Sequence, residues 1–421
     1  MPEQQAKDAS RAKWGGEIEP LLDALAAQGE ALVARTEAWS AINSGSYELE
    51  GLTHMRGLVA DACAALPGEV VLVDLAPSQR ISANGDSREI EHGASVRVRV
   101  RPDAEIQVAL TGHYDTVFPA AHEFQKPWRA DANTLRGPGV ADMKGGIAVM
   151  LAALERFERL PGQKRVGYEV LLSPDEEIGS PASAPLLAQL GARAHVGMTY
   201  EPSLPTGALI DSRKGSGNYA IVFSGRAAHV GRAFADGRNA MIAAAEATVA
   251  LDKLNGQRDG VTFNVSAIDG GGPTNIVPER AVLRLNVRAP AMEDAAWAES
   301  EIARIVASIA RPDVTAKLTG SFARPPKPLD AKQKTIAAWT HEAGAALGLD
   351  LQFQGTGGVC EGNNLAAAGC ANIDTLGPCG GALHSSDEFA LIPSFAERAA
   401  LSFMLLAGFE RGVFDARGLR G

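Results

Sequence analysis

The feature that most restricts the fold is an alternation in the first half of the chain. Short apolar runs ending in acidic or imidazole side chains alternate with segments of helical periodicity. "AEIQVALTGHYDT" (104–116), "GYEVLLSPDEE" (167–177) and "HVGMTYEPS" (195–203) read as strands that finish in polar residues, and "EVVLVDL" (69–75) reads as a further strand. Between the first two, "KGGIAVMLAALERFERL" (144–160) places Ile147, Met150, Leu151, Leu154 and Phe157 on one helical face, and "PLLDALAAQGEALVARTEAW" (20–39) has similar spacing. Strands separated by helices predict an α/β fold with parallel strands. Such sheets bind ligands at the carboxyl ends of their strands, where these polar residues fall. "SVRVRVR" (95–101) alternates valine with arginine, as a strand with one buried and one solvated face does.

Near residue 212 the pattern changes. "GSGNYAIVFSGRAAHVG" (215–231), "VTFNVSAIDGG" (261–271) and "AVLRLNVRA" (281–289) are strand-like, with helices expected over 237–254 and 292–310. "ARPPKPLD" (323–330) reads as a proline-rich linker, after which helix, glycine-rich loop and helix follow. The expected organisation is a discontinuous domain of residues 1–212 and 325–421 with an α+β unit, 213–324, inserted into it.

Charge and composition exclude several classes. A net charge of −10 with 5% aromatic residues fits neither the basic footprint nor the stacking surface of a nucleic-acid binder. Cys63, Cys360, Cys370 and Cys379 form no CxxC pair, which argues against a thiolate zinc site and suits a reducing compartment. The first twenty residues carry no apolar leader, and no run approaches the ~18 apolar residues of a membrane span. The expectation is a cytoplasmic protein without a membrane or nucleic-acid partner.

Five segments carry the chemistry: "TGHYDT" with His113 and Asp115, "GPGVADMKGG" with Asp142, "SPDEEIGS" with Glu176 and Glu177, "TYEPS" with Glu201, and "GALHSSDEF" with His384. Each alone has a bland reading: a loop hydrogen bond for HxD, a solvated face for DEE, a structural role for a lone histidine. Together, two imidazoles and three carboxylates suit zinc or another first-row divalent ion. Two such ions sharing a carboxylate would lower the pKa of a bridging water toward neutrality. They would also offset the repulsion between Glu176 and Glu177, leaving one glutamate to bind metal and its neighbour to move the proton.

The order HxD, GPGxxDxKGG, DEExGS, EP, GRAAHxG, TNIVPE, LHSSDE resembles the dinuclear zinc peptidase and aminoacylase family of glutamate carboxypeptidase, acetylornithine deacetylase and succinyl-diaminopimelate desuccinylase. The glutamate carboxypeptidase branch is the nearest in pattern. The resemblance implies a catalytic domain with a mostly parallel sheet between helices and an inserted dimerisation or lid domain. It implies two divalent ions per chain, zinc first, with cobalt or manganese as alternatives. His113 and Glu201 would bind one ion, Glu177 and His384 the other, and Asp142 both. Asp115 would orient His113, and Glu176 would be the general base and then acid. A cis peptide is expected at Asp142–Met143. His229 of "GRAAHVGR" would reach the site of a second copy and stabilise the oxyanion. Asn275, Arg288 and the backbone at Gly358 would bind substrate. The implied reaction is hydrolysis of a peptide or N-acyl amide bond next to a free carboxylate, by a homodimer.

The glycine-rich loop departs from the family pattern. In "GTGGVCEGNNLAAAG" (355–369), Cys360-Glu361-Gly362 stands where relatives carry an Asp-Gly-type turn. A buried, inert thiol is the plainer reading of Cys360, a reactive one the alternative. Two other function classes fit the sequence less well. A non-catalytic binding protein on the same fold would be expected to lose the base or a ligand, yet all seven residues of the five segments are present. A nucleotide-binding enzyme would need GxGxxG after a strand, or a Walker pattern, and neither occurs.

Overall fold

The computed structural model describes residues 12–162, 165–310 and 313–420. Residues 1–11, on which the expectation about a leader mostly falls, lie outside them. The main sheet has six strands in the order Glu69–Val73, Ser95–Val100, Val166–Ser173, Ile106–His113, Val196–Thr199, Asn372–Ile373. The first two pairings are antiparallel and the next three parallel. The alternating arginine strand behaves as its pattern requires: Val96, Val98 and Val100 are buried while Arg99 is exposed. Each valine so buried contributes about 1.5–3 kcal/mol of transfer free energy. The central strands Ile106–His113 and Val166–Ser173 are apolar almost throughout, because helices cover both faces of the sheet.

Helix Lys144–Phe157 packs against the long helix Ser394–Arg411, and both bury nearly all their length in the main core. The helix expected over 20–39 comes instead as two, Glu19–Ala26 and Gly29–Ser40. The chain turns between them, where the amide of Gln28 bonds to the carbonyl of Leu25, three residues back.

Residues 215–324 form a second, antiparallel sheet in the order Thr262–Gly270, Arg280–Ala289, Gly215–Ser224, Thr315–Arg324. Helices Ala240–Asp252 and Met292–Ile309 pack on it around a separate hydrophobic cluster that includes Phe223, Ala244, Leu283 and Ile302. The strand Thr315–Arg324 was not foreseen. Its alternation is weak, and Gly320, at φ +115°, interrupts the pattern. No helix among the described residues is long and apolar enough to cross a membrane.

Candidate metal centre

The three central parallel strands deliver the acidic residues. His113 ends strand Ile106–His113, Glu176 and Glu177 follow strand Val166–Ser173, and Glu201 follows Val196–Thr199. Asp142 sits in the loop before helix Lys144–Phe157, and the Asp142–Met143 peptide bond is cis, as expected from the sequence. The glycines after Lys144 bring that helix close to the sheet: a Cβ on Gly146 would collide with the carbonyl of Tyr200, next to Glu201. His384 comes from the loop between Gly377–Gly381 and Phe389–Leu391, with its backbone in the left-handed region at φ +60°.

These side chains converge into two groups that share Asp142, His113–Asp142–Glu201 and Asp142–Glu177–His384. His113 Nε2 lies 3.1 Å from Asp142 Oδ1 and 3.7 Å from Glu201 Oε1. His384 Nε2 lies 3.4 Å from Asp142 Oδ2 and 3.1 Å from Glu177 Oε2. The two oxygens of Asp142 therefore face different groups.

Asp115 is fully buried and organises the surroundings. Its Oδ1 is 3.3 Å from His113 Nδ1 and accepts from the amide of Glu176 at 3.2 Å. Its Oδ2 accepts from the amide of Glu177 at 3.1 Å and from Ser46 Oγ at 2.7 Å. One carboxylate thus orients the imidazole and fixes the backbone of the Glu176-Glu177 pair.

The residues fit a pair of cations. Glu201 Oε1 is buried and accepts no hydrogen bond. Burial and the Asp142 charge push the Glu177 carboxyl up to about 8, and the same two causes push Glu201 up. Burial would also raise Asp142, but the His113 and His384 imidazoles hold it well below the usual carboxylate range. Hydrogen bonds to Asp142 and Glu177 lift His384 to about 11. Carboxylates packed this closely need positive charge between them, and an oxygen- and imidazole-rich pocket is what divalent ions of the zinc type bind.

Glu176 belongs to neither group but borders the first. Its Oε2 is 4.0 Å from His113 Nε2, while its Oε1 makes a 2.7 Å ion pair with Arg324. Arg324, 2% exposed, also donates to the Glu176 carbonyl at 2.8 Å and to Ser180 Oγ at 3.0 Å. Sequence reasoning missed this arginine. It sits in a segment read as a linker, 148 residues from its partner. In the sequence, Glu361 stands out only as a departure in the glycine-rich loop. It is fully buried, its carboxyl raised to about 8 by burial, and neither of its oxygens has a hydrogen-bond partner.

The remaining expected residues are placed as follows. Arg288 donates to the Gly357 carbonyl at 3.2 Å and to Asn286 Oδ1 at 3.0 Å, so it lies beside the loop that contains Gly358. The Gly358 amide donates to Thr356 Oγ1. His229 and Asn275 are exposed neighbours: Val230 N donates to the Asn275 carbonyl, and His229 pairs with Ile276. No hydrogen bond or ion pair joins either of them to the two ligand groups among the described residues. Cys360 is buried, its thiol pushed well up by burial, and its Sγ accepts from the Gly362 amide.

Comparison with known proteins gives a consistent result. The model of Peptidase family M20/M25/M40 matches residues 109–407. Carboxypeptidase G2 from Pseudomonas sp. strain RS-16 is 26% identical over 313 residues, covering 72% of this chain and 74% of that protein. A succinyl-diaminopimelate desuccinylase from Ruthia magnifica is 28% identical over 318 residues, covering 70% and 82%. Among solved structures, the aminopeptidase PepT from Bacillus cereus superposes with a TM-score of 0.68 at 19% identity, over 90% of this chain and 98% of that one. An M20 family metallo-carboxypeptidase from Sulfolobus solfataricus gives 0.68 at 15% identity, with the same coverage. At such identities the structural matches speak for the fold.

Proposed function

The chain belongs to Peptidase family M20/M25/M40, a family of metal-dependent hydrolases of peptide and acyl amide bonds, and from that premise we propose that it cleaves such a bond next to a free carboxylate of its substrate. The observation that carries the reading is the pair of ligand groups meeting at Asp142, with a glutamate outside both groups beside them. His113, Asp142 and Glu201 would hold one cation and Asp142, Glu177 and His384 the second. Zinc suits this donor set, as do cobalt and manganese. Cations bound there would supply Lewis acidity, polarising the scissile carbonyl and making a water acidic near neutral pH.

The chain's own residues do the rest. Arg324 holds Glu176 Oε1, which leaves Oε2, on the side of His113, to take the proton of the attacking water and pass it to the leaving nitrogen. Asp115 keeps His113 and the backbone of Glu176 in register. His229 Nδ1 accepts from the Gly231 amide, so neutral His229 carries its proton on Nε2, the form that can donate to a developing oxyanion. Because His229 is exposed and joined to neither ligand group, the reading assigns it to the site of a second copy. That makes the protein a homodimer built through residues 213–324, the inserted lid or dimerisation unit of a catalytic domain of 1–212 and 325–421. Arg288, with Asn275 and the backbone at Gly358, would hold the substrate carboxylate, since a guanidinium fork matches its geometry. Four buried free thiols suit a reducing compartment, and we place the protein in the cytoplasm.

The test is a panel of N-acyl amino acids and dipeptides, varied through Glu, Asp, Leu, Phe, Arg and Ala at the carboxyl end and offered with and without chelator. Chelator-sensitive hydrolysis that is lost when the terminal carboxylate is amidated is expected. No hydrolysis by protein holding two ions would refute the reading.

A further inference from the structure

We propose that Glu388 is a positioning residue for the shared ligand Asp142, a role that rests on the metal reading above. Glu388 is 1% exposed. Its Oε1 accepts from the amides of Ala141 and Asp142, at 3.0 Å and 3.1 Å, and its Oε2 accepts from the amide of Gly139 at 3.2 Å. Its own carbonyl accepts from the Gly137 amide. One side chain therefore satisfies three amide donors of a single loop, those of Gly139, Ala141 and Asp142.

The placement matters because of what lies on either side. Asp142 is the only residue common to the two ligand groups among the described residues, and its two oxygens are 3.1 Å and 3.4 Å from different imidazoles. A carboxylate that must face two ways tolerates little rotation of its backbone. Glu388 sits four residues after His384 in the same segment, so its carboxylate ties the loop that carries His384 to the loop that carries Asp142. The antiparallel pairing of Phe389–Leu391 with Thr134–Arg136 anchors the same two segments from the other end. Groups that orient a ligand from behind typically contribute 10–100-fold to metal affinity.

The experiment compares Glu388→Gln and Glu388→Asp with a control, Glu410→Gln. Glu410 is also a buried carboxylate, and it accepts from the backbone amides of Arg165 and Val166 in another part of the fold. Each full-length protein is stripped and titrated with cobalt, read by the visible ligand-field bands, and with zinc in competition with a chromophoric chelator. Glutamine replaces one acceptor oxygen with a donor, and aspartate draws both oxygens back by one methylene. Both should weaken binding about 10–100-fold and alter the cobalt spectrum. Circular dichroism and the Tm of the stripped protein should match those of Glu410→Gln, whose metal affinity stays at the wild-type value. If the glutamine variant does not fold, the aspartate variant carries the same test. Unchanged affinity in the Glu388 variants, or an equal loss in Glu410→Gln, overturns the role. Wild-type protein that binds no ion overturns the metal reading itself, so the two failures are distinguishable.

Discussion

Replacing Glu176 by glutamine separates proton transfer from metal binding. The substitution keeps the shape of the side chain and removes its charge and its proton-accepting capacity. General acid–base groups contribute typically 10²–10⁴-fold, or about 2.7–5.5 kcal/mol of barrier, so kcat should fall by that factor. The structure also fixes a stability cost. The Glu176–Arg324 pair is 2.7 Å long between side chains that are 9% and 3% exposed. Removing one member of a buried pair costs about 3–5 kcal/mol in full. Here the loss should be smaller, about 1.5–3 kcal/mol. The glutamine oxygen still accepts, and Arg324 keeps its bonds to the Glu176 carbonyl and Ser180 Oγ. Adding Arg324→Met removes the uncompensated cation, so the double variant should regain stability in urea melts without regaining turnover. Metal content, measured on the same samples, should remain at two ions per chain. Turnover within tenfold of wild type, loss of an ion in Glu176→Gln, or activity restored by Arg324→Met would each refute the assignment.

Two further perturbations probe other parts of the account. Arg288→Ala should raise KM about 10–100-fold for substrates with a free carboxylate, the worth of a charge-assisted contact, and leave C-terminally amidated ones unaffected; equal effects on both would remove Arg288 from substrate binding. Asp374 is fully buried between Arg213, at 2.8 Å and 3.0 Å, and Lys327, at 2.6 Å. Burial pushes its carboxyl up, but the two cations outweigh that and hold it below the ordinary aspartate value. Its contribution is therefore present above the unfolded-state pKa of about 4 and is lost as pH falls through the lower folded value. Asp374→Asn should cost about 3–5 kcal/mol at pH 7 and flatten the acid limb of the stability curve; an unchanged acid limb would contradict this.

The residues that lie in quotable strings at strand ends were legible in the sequence. His113, Glu176, Glu177 and Glu201 follow apolar runs whose periodicity marks them as strands, and parallel topology then puts their ends together. Arg324 was not legible as a working residue, and Glu388 stood only as the last letter of LHSSDE, with no role attached. Their partners are 148 and about 250 positions away, and only burial reveals that no other group satisfies them. The helix Glu361–Ala367 was hidden for a local reason. Helix starts are usually marked by Ser, Thr, Asp or Asn, whereas here Cys360 Sγ accepts from the Gly362 amide and Asn363 Oδ1 accepts from the Cys360 amide. The glycine-rich string reads as a loop through residue 369 unless the thiol is recognised as the cap.

On the metal reading, two cations share Asp142 and leave Glu176 free. Anomalous diffraction from crystals loaded with zinc, recorded on both sides of its absorption edge, tests it most directly. Two peaks are expected, one bounded by His113, Asp142 and Glu201, the other by Asp142, Glu177 and His384, with Glu176 coordinating neither. A single peak, or a peak with Glu176 as a ligand, would contradict the account.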